Sequence, residues 1–376
     1  MGILVAIVAF ALMVFIHEFG HFITAKLFNI KVLEFAVGMG PAIFKKKKGE
    51  TLYSVRCLPL GGYCSMEGED TKSDDARSFS NAKWWKRMIV VSAGAILNVL
   101  LGFILLIIVQ SSFKTVNLPV INKLEESAYM DEAGFQAGDR IVSLNKSKVN
   151  VYEDIYFFLE RMGETEVEVG VERNGQIIKN KVKPVTEKRV YDFCKDKTDV
   201  KIYINGELSS EYEAGVTNDE ELFGKTYEEE RYILGFECLN KKNSFTDVLK
   251  RSFYMTAFYV KTIYVSVYEI ITGKIPVNQL SGPVGVVDII GKASAQDIFF
   301  LFEILALITI NLGVMNLLPI PALDGCKILV ILVELIIRRK IPPEKEGIIN
   351  LIGFAFLILI MLFATYNDIM RLVNGG

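Results

Sequence analysis

Histidine is almost missing from this chain: only His17 and His21 occur in 376 residues. Any site that needs three histidines is therefore excluded. Cysteine is also scarce. Cys57, Cys64, Cys194, Cys238 and Cys326 form no C-x-x-C pair, and their odd number and wide spacing argue against a zinc finger or a dense disulfide framework. A Cys194–Cys238 bridge stays open if that region is extracytoplasmic. Nor is charge of one sign in excess. The formal net charge of −2 is silent on nucleic acid, and no nucleic-acid partner is expected. Only the distribution of charge is informative.

Apolar residues are plentiful, at 51% of the chain, with a mean hydropathy of +0.33. These values put the membrane class first. Residues 3–28 are apolar apart from one polar cluster, and a bilayer span takes about 20 residues. A cleaved leader is the competing reading. No basic residue precedes the run, however, and no small-residue cleavage site follows it. Residues 88–109 read as a second span. Residues 298–337 form a third apolar stretch, broken by Pro319 and Pro321, and 348–366 the last.

Basic residues set the orientation. Lys45, Lys46, Lys47, Lys48, Lys83, Lys86 and Arg87 crowd one segment, and Arg338, Arg339 and Lys340 another. Cytoplasmic loops are enriched in Lys and Arg, so 31–87 and 338–345 should lie inside. The segment 111–297 and both termini then lie outside, which four crossings satisfy. Residues 35–66 alternate apolar residues with glycines and hold a Pro59-Leu-Gly-Gly-Tyr63 turn. They read as strands of a β-hairpin-like loop associated with the membrane, where non-helical backbone must be shielded or line a wet cavity.

Residues 118–185 read as a small soluble domain. Its strand at Val167, Val169 and Val171 is followed by an Asn174-Gly175 hairpin turn, and 152–162 form an amphipathic helix. Residues 187–230 are charged and look like an elaboration of that domain. Residues 253–271 suit a helix lying at the interface better than a fifth span.

His17-Glu-Phe-Gly-His21 is an H-E-x-x-H pattern on the first span. Histidines at i and i+4 share a helical face, so both imidazoles can reach one metal ion, with Glu18 beside them to take a proton from water. Packed, hydrogen-bonded histidines are the plain alternative. Against it, ionisable groups inside a span are expensive and functional by default. Catalytic zinc takes three protein ligands and leaves a place for water. Asp324 is the best third candidate; Glu303 and Glu334 compete. Depth favours Asp324 if the prolines bend or unwind the stretch, because a straight helix from residue 298 would carry it about 39 Å, past the hydrocarbon core.

On these residues the chain resembles the bacterial site-2 proteases of the RseP type over nearly its whole length. The likeness rests on H-E-F-G-H, on Asn316-Leu-Leu-Pro-Ile-Pro-Ala-Leu-Asp-Gly325, and on Ala93-Gly-Ala-Ile-Leu-Asn98 in the second span. Val37-Gly-Met-Gly-Pro41, Pro59-Leu-Gly-Gly-Tyr63 and Leu280-Ser-Gly-Pro-Val-Gly285 add to it. The resemblance implies a polytopic α-helical membrane protein of four spans with a membrane-associated β-hairpin loop and one extracytoplasmic PDZ-like domain. The expected divisions are 1–112, 113–237 and 238–376. It implies Zn2+ held by His17, His21 and Asp324, with Glu18 catalytic and Asn316 as oxyanion donor, although a packing role for Asn316 competes. The expected substrates are single-span membrane proteins already trimmed outside, such as anti-sigma factors, or remnant signal peptides. The expected location is a bacterial cell membrane, with the lipid bilayer as surroundings and the active site toward the cytoplasm. Cys326 stands where the family usually has a second glycine, and Ala95 replaces a common proline. A metal-ion transporter and an inactive PDZ-bearing scaffold are the rival functions.

Overall fold

The computed structural model describes residues 2–69, 71–125, 129–193, 200–208, 226–277 and 280–373. Among them lie eight α-helices: α1 (Gly2–Leu27), α2 (Trp84–Ser112), α3 (Glu153–Met162), α4 (Phe245–Ile271), α5 (Pro283–Gln296), α6 (Ile298–Asn316), α7 (Asp324–Ile337) and α8 (Pro343–Val373). Two compact units emerge, Met1–Leu106 with Tyr259–Gly376, and Ile107–Phe258. Four helices are long and apolar enough to cross a membrane: α1, α2, α6 and the Lys345–Arg371 part of α8. In hydrocarbon every backbone N–H and C=O must be paired within the segment, which a helix achieves.

Helix α1 buries mostly small residues and the two histidines and turns large apolar ones outward. In α1, Ala6, Ala9, Met13, His17, Gly20 and His21 are buried, while Ile3, Leu4, Val8 and Leu12 are exposed. Small residues allow helix backbones to approach closely where lipid supplies no hydrophobic drive. A Cβ on Gly20 would lie 2.6 Å from the carbonyl oxygen of Ala93 in α2. Helix α5 was not foreseen. It opens on Pro283, whose missing N–H costs nothing at a first helical position. Its Ile290 and Ala293 pack with Ala6 of α1 and Leu301 of α6.

The third apolar stretch breaks at its prolines, as expected. Helix α6 stops at Asn316, residues 317–323 form a non-helical connection, and α7 restarts at Asp324. Gly325 is required there: a Cβ would lie 2.1 Å from the Leu318 carbonyl oxygen and 2.4 Å from that of Leu317.

Strands β1 (Val32–Lys48) and β2 (Thr51–Met66) form the hairpin. Its turn falls at Gly49 and Glu50, and Pro59–Tyr63 lies inside β2 instead of forming the turn. Both strands fold back on themselves, so Phe35 pairs with Tyr53 on one side and Cys64 on the other. Residues 62–66 form an outer edge with no further strand beside them among the described residues. Glu50 accepts from Lys26 at 2.9 Å and from Arg77 at 2.6 Å, which fixes the turn.

The second unit holds a sheet in the order β12-β3-β4-β6-β7, with β5 beside β4. These strands are β3 (Thr115–Leu124), β4 (Arg140–Leu144), β5 (Ser147–Lys148), β6 (Val167–Arg173), β7 (Gln176–Val182) and β12 (Phe236–Lys242). Its core gathers Phe135, Ile141 and Leu144 with Ile155 and Leu159 of α3 and Val167, Val169 and Val171 of β6. Burying each such side chain contributes about 1.5–3 kcal/mol.

The charged segment folds into a second sheet, ordered β10-β9-β8-β11, from β8 (Val185–Phe193), β9 (Val200–Ile204), β10 (Glu207–Leu208) and β11 (Thr226–Ile233). Its register sets Arg231 opposite Glu187, Glu230 opposite Lys188 and Glu229 opposite Arg189. Opposite charges facing across a pair of strands support the pairing. Cys194 lies outside the described residues, and so does the bridge considered for it; Cys238 is half-buried on β12.

Candidate metal centre

Helix α1 carries His17 and His21 on its buried face, each 8% exposed. The restart of the chain at α7 brings Asp324 to both. Its Oδ2 lies 3.0 Å from His17 Nε2 and 3.3 Å from His21 Nε2, and the two Nε2 atoms are 3.2 Å apart. In a tetrahedral zinc site with bonds of about 2.0–2.2 Å, neighbouring donors lie about 3.3–3.6 Å apart. The three atoms sit close to that spacing. Two imidazoles and one carboxylate, with a fourth position for water, form the donor set of a catalytic zinc site. Among the described residues, His17, His21 and Asp324 are the group so placed.

The rival carboxylates are engaged elsewhere. Glu303 accepts from the Tyr259 hydroxyl at 3.2 Å. Glu334 accepts from Arg87 at 2.6 Å and from the Ile341 backbone N–H at 2.8 Å. Cys326 is buried in α7 and is not part of the group.

Helix α2 supplies the floor of the centre. His21 Nδ1 lies 2.8 Å from the Val90 carbonyl oxygen, which only a protonated Nδ1 can satisfy; the lone pair is then left on Nε2. A Cβ on Gly94 would lie 2.5 Å from His21 Nε2 and 2.9 Å from His17 Nε2. Only glycine leaves the donors their places. The Asn98 amide nitrogen is 3.3 Å from His17 Nδ1.

A cavity of about 460 Å³ opens over the donors, lined by His17, Glu18, His21, Tyr63, Cys64, Ser65, Met66, Glu69, Val91, Asp324 and Lys327. One wall is the outer edge of the hairpin. Gly62 lets that strand come close to Glu18, whose Cγ would meet a Cβ there at 3.4 Å. Lys327, one turn beyond Asp324, pairs with Glu69 at 2.5 Å. Asn316 ends α6 and is not among the residues lining the cavity. In the sequence Gly94 and Asn98 stand out only through the family likeness; for Asn98 a polar side chain inside an apolar span is the further signal. Glu69 and Lys327 carried no signal in the sequence.

The model of peptidase family M50 matches residues 5–360. The chain belongs to peptidase family M50. Curated relatives match the chain nearly end to end. A Clostridium acetobutylicum protein, whose name assigns it provisionally to the zinc metalloproteases, is 34% identical over 99% of this chain and 98% of its own. The regulator of sigma-W protease RasP of Bacillus subtilis is 28% identical, covering 97% of both chains. The zinc metalloprotease RasP of Geobacillus kaustophilus is 27% identical, again over 97% of each. Family and relatives make this a zinc metalloprotease of the site-2 type, a multi-pass membrane protein acting in intramembrane proteolysis.

Proposed function

We propose that His17, His21 and Asp324 hold the zinc ion and that Glu18 is the catalytic base of an enzyme that cuts single-span membrane proteins within their spans. The observation that carries this reading is the convergence of two buried imidazoles and a half-buried carboxylate, His17 and Asp324 lying 307 positions apart in sequence, at the spacing of zinc ligands. Zinc, when bound, supplies Lewis acidity toward the scissile carbonyl and toward water. Glu18 takes the proton from that water and passes it to the leaving amine. Asn316 is our candidate for the oxyanion donor. It ends α6 where the connection to Asp324 begins, and substrate binding has to bring the carbonyl to it.

The substrate must offer an open strand, because a helix keeps its carbonyls bonded inside itself. The outer edge at 62–66 runs beside Glu18 and can pair with such a strand by β-augmentation. The name of the Bacillus subtilis relative ties that protein to sigma-W. Carried to this chain, it favours anti-sigma factors as substrates, already trimmed outside the membrane; remnant signal peptides fit the same chemistry. The Lys and Arg distribution supports an active site toward the cytoplasm and an extracytoplasmic 113–237. We read the sheet and α3 of that part as a PDZ-like domain that controls access, between membrane parts 1–112 and 238–376.

The test compares zinc content and cleavage in purified variants. Glu18→Gln keeps zinc and loses cleavage, whereas His17→Ala and Asp324→Ala lose both. Full cleavage by Glu18→Gln protein would overturn the mechanism.

A further inference from the structure

Helix α2 meets the two imidazoles through three positions four residues apart. Val90 offers its carbonyl oxygen to His21, Gly94 leaves room for both rings, and Asn98 faces His17. Residues at i, i+4 and i+8 share one face of a helix. That stripe therefore forms a single cradle.

We infer that Asn98 is a positioning residue: its amide oxygen accepts a hydrogen bond from His17 Nδ1–H and so keeps the His17 Nε2 lone pair free for the metal. The inference rests on the reading of His17 as a zinc ligand. Asn98 is fully buried, and its carboxamide is the group within hydrogen-bond distance of His17 Nδ1, at 3.3 Å. Its other end, Oδ1, is buried without a partner. The two ends of a carboxamide are nearly the same size, so which one faces the imidazole is decided by the hydrogen bond it must make.

His17 decides it. With Nε2 turned to Asp324 and His21, a metal can be held only if the ring proton is on Nδ1, and Nδ1–H needs an acceptor. An amide N–H aimed at Nδ1 would demand the opposite tautomer. The proton would then sit on Nε2, 3.0 Å from Asp324 Oδ2, and block the donor position. His21 faces no such choice, because a backbone carbonyl is only an acceptor. Hydrogen bonds to the far nitrogen of a metal-binding histidine fix its tautomer and orientation, and losing one costs about 10–100-fold in metal affinity.

The scarcity of histidine makes the test direct. Full-length protein is purified through a histidine-free tag, labelled with 15N-histidine and loaded with zinc, so only two imidazoles report. Both should show protonated Nδ1 and metal-bound Nε2. In Asn98→Leu, zinc affinity measured against a competing chelator should fall about 10–100-fold, and the His17 Nδ1–H signal should broaden or vanish. Asn98→Asp offers only acceptor oxygens and should keep affinity within about threefold, with the Nδ1–H signal intact. Unchanged affinity and an unchanged His17 signal in Asn98→Leu would overturn the inference. So would a loss in Asn98→Asp as large as in Asn98→Leu, since a mere filling or donor role predicts no rescue by a carboxylate. Should Asn98→Leu fail to fold, Asn98→Asp alone decides, by whether it retains zinc and the Nδ1–H signal. A His17→Ala control that keeps zinc would instead remove the zinc-ligand reading and leave the Asn98 result recognisably separate.

Discussion

Gly94→Ala adds one methyl group against the two imidazoles, and its effect can be worked from the geometry. The new carbon would lie 2.5 Å from His21 Nε2 and 2.9 Å from both Cε1 and Nε2 of His17. Ordinary contact starts near 3.4 Å. One imidazole must therefore give by about 0.9 Å and the other by about 0.5 Å, or α1 must lift from α2. Neither movement is free, because His21 is bonded to Val90 on the same helix and Gly20 is packed against Ala93. Overpacking a filled interior costs about 1–3 kcal/mol. Charged to the donor positions, that is a loss of about 5- to 150-fold in zinc affinity. The assay is chelator competition, with thermal unfolding to show that the variant folds. Gly347→Ala is the control: Gly347 lies in α8 with nothing within 4 Å of an added Cβ, so the change should gain about 1 kcal/mol of helix stability and leave zinc affinity alone. Zinc affinity within twofold of wild type in Gly94→Ala would refute the reasoning.

Asn316→Ala should leave zinc content unchanged and lower kcat about 10²–10³-fold, the usual loss for an oxyanion donor, with KM nearly constant; an unaltered kcat would send the search to another donor. The Glu50 carboxyl is held down to about 2 by hydrogen bonds from Arg77 and Lys26, against burial, from an ordinary 4.5. A depressed carboxylate stabilises the fold above its unfolded value and loses that contribution as pH falls toward its folded one. Protection of the hairpin-turn amides, taken relative to their intrinsic exchange rates, should therefore fall between about pH 4.5 and 2, and Glu50→Gln should abolish that step while lowering protection at neutral pH. Single cysteines placed within 140–180 of a cysteine-free chain should react with an impermeant reagent added to intact cells; labelling only after permeabilisation would invert the proposed orientation.

The spans were legible because hydrocarbon admits long apolar helices and little else, so α1, α2, α6 and α8 announce themselves. His17, Glu18 and His21 were legible because helical spacing alone puts two imidazoles on one face. Asp324 was ranked above Glu303 and Glu334 from depth and prolines, but only the fold shows those two carboxylates bonded to Tyr259 and Arg87. The sheet from β8 to β11 was hidden because charge usually signals a solvated segment, whereas here opposite charges face one another across strands. Helix α5 was hidden by its glycines. Gly285 interrupts its pattern yet is needed, since a Cβ there would lie 2.9 Å from Oδ1 of the buried Asp368, whose Oδ2 accepts from the Gly285 N–H at 2.8 Å. The turn of the hairpin was misplaced because Pro59, Gly61 and Gly62 look like a chain reversal. The two glycines serve instead to let a strand pass close to its neighbours: a Cβ on Gly62 would lie 2.9 Å from the Ala36 carbonyl oxygen.

The unpaired rim of that strand has a consequence for hydration. Backbone groups along 62–65 that face away from the sheet have no strand beside them among the described residues, and hydrocarbon would leave such groups unsatisfied at several kcal/mol each. Solvent must reach them, and the Lys327–Glu69 ion pair that lines the same cavity is served by it too. The vestibule is thus wet before any peptide arrives. A protease working at membrane depth needs a supply of its second reactant, and here the same rim that a substrate strand would occupy keeps that reactant in place until it is needed.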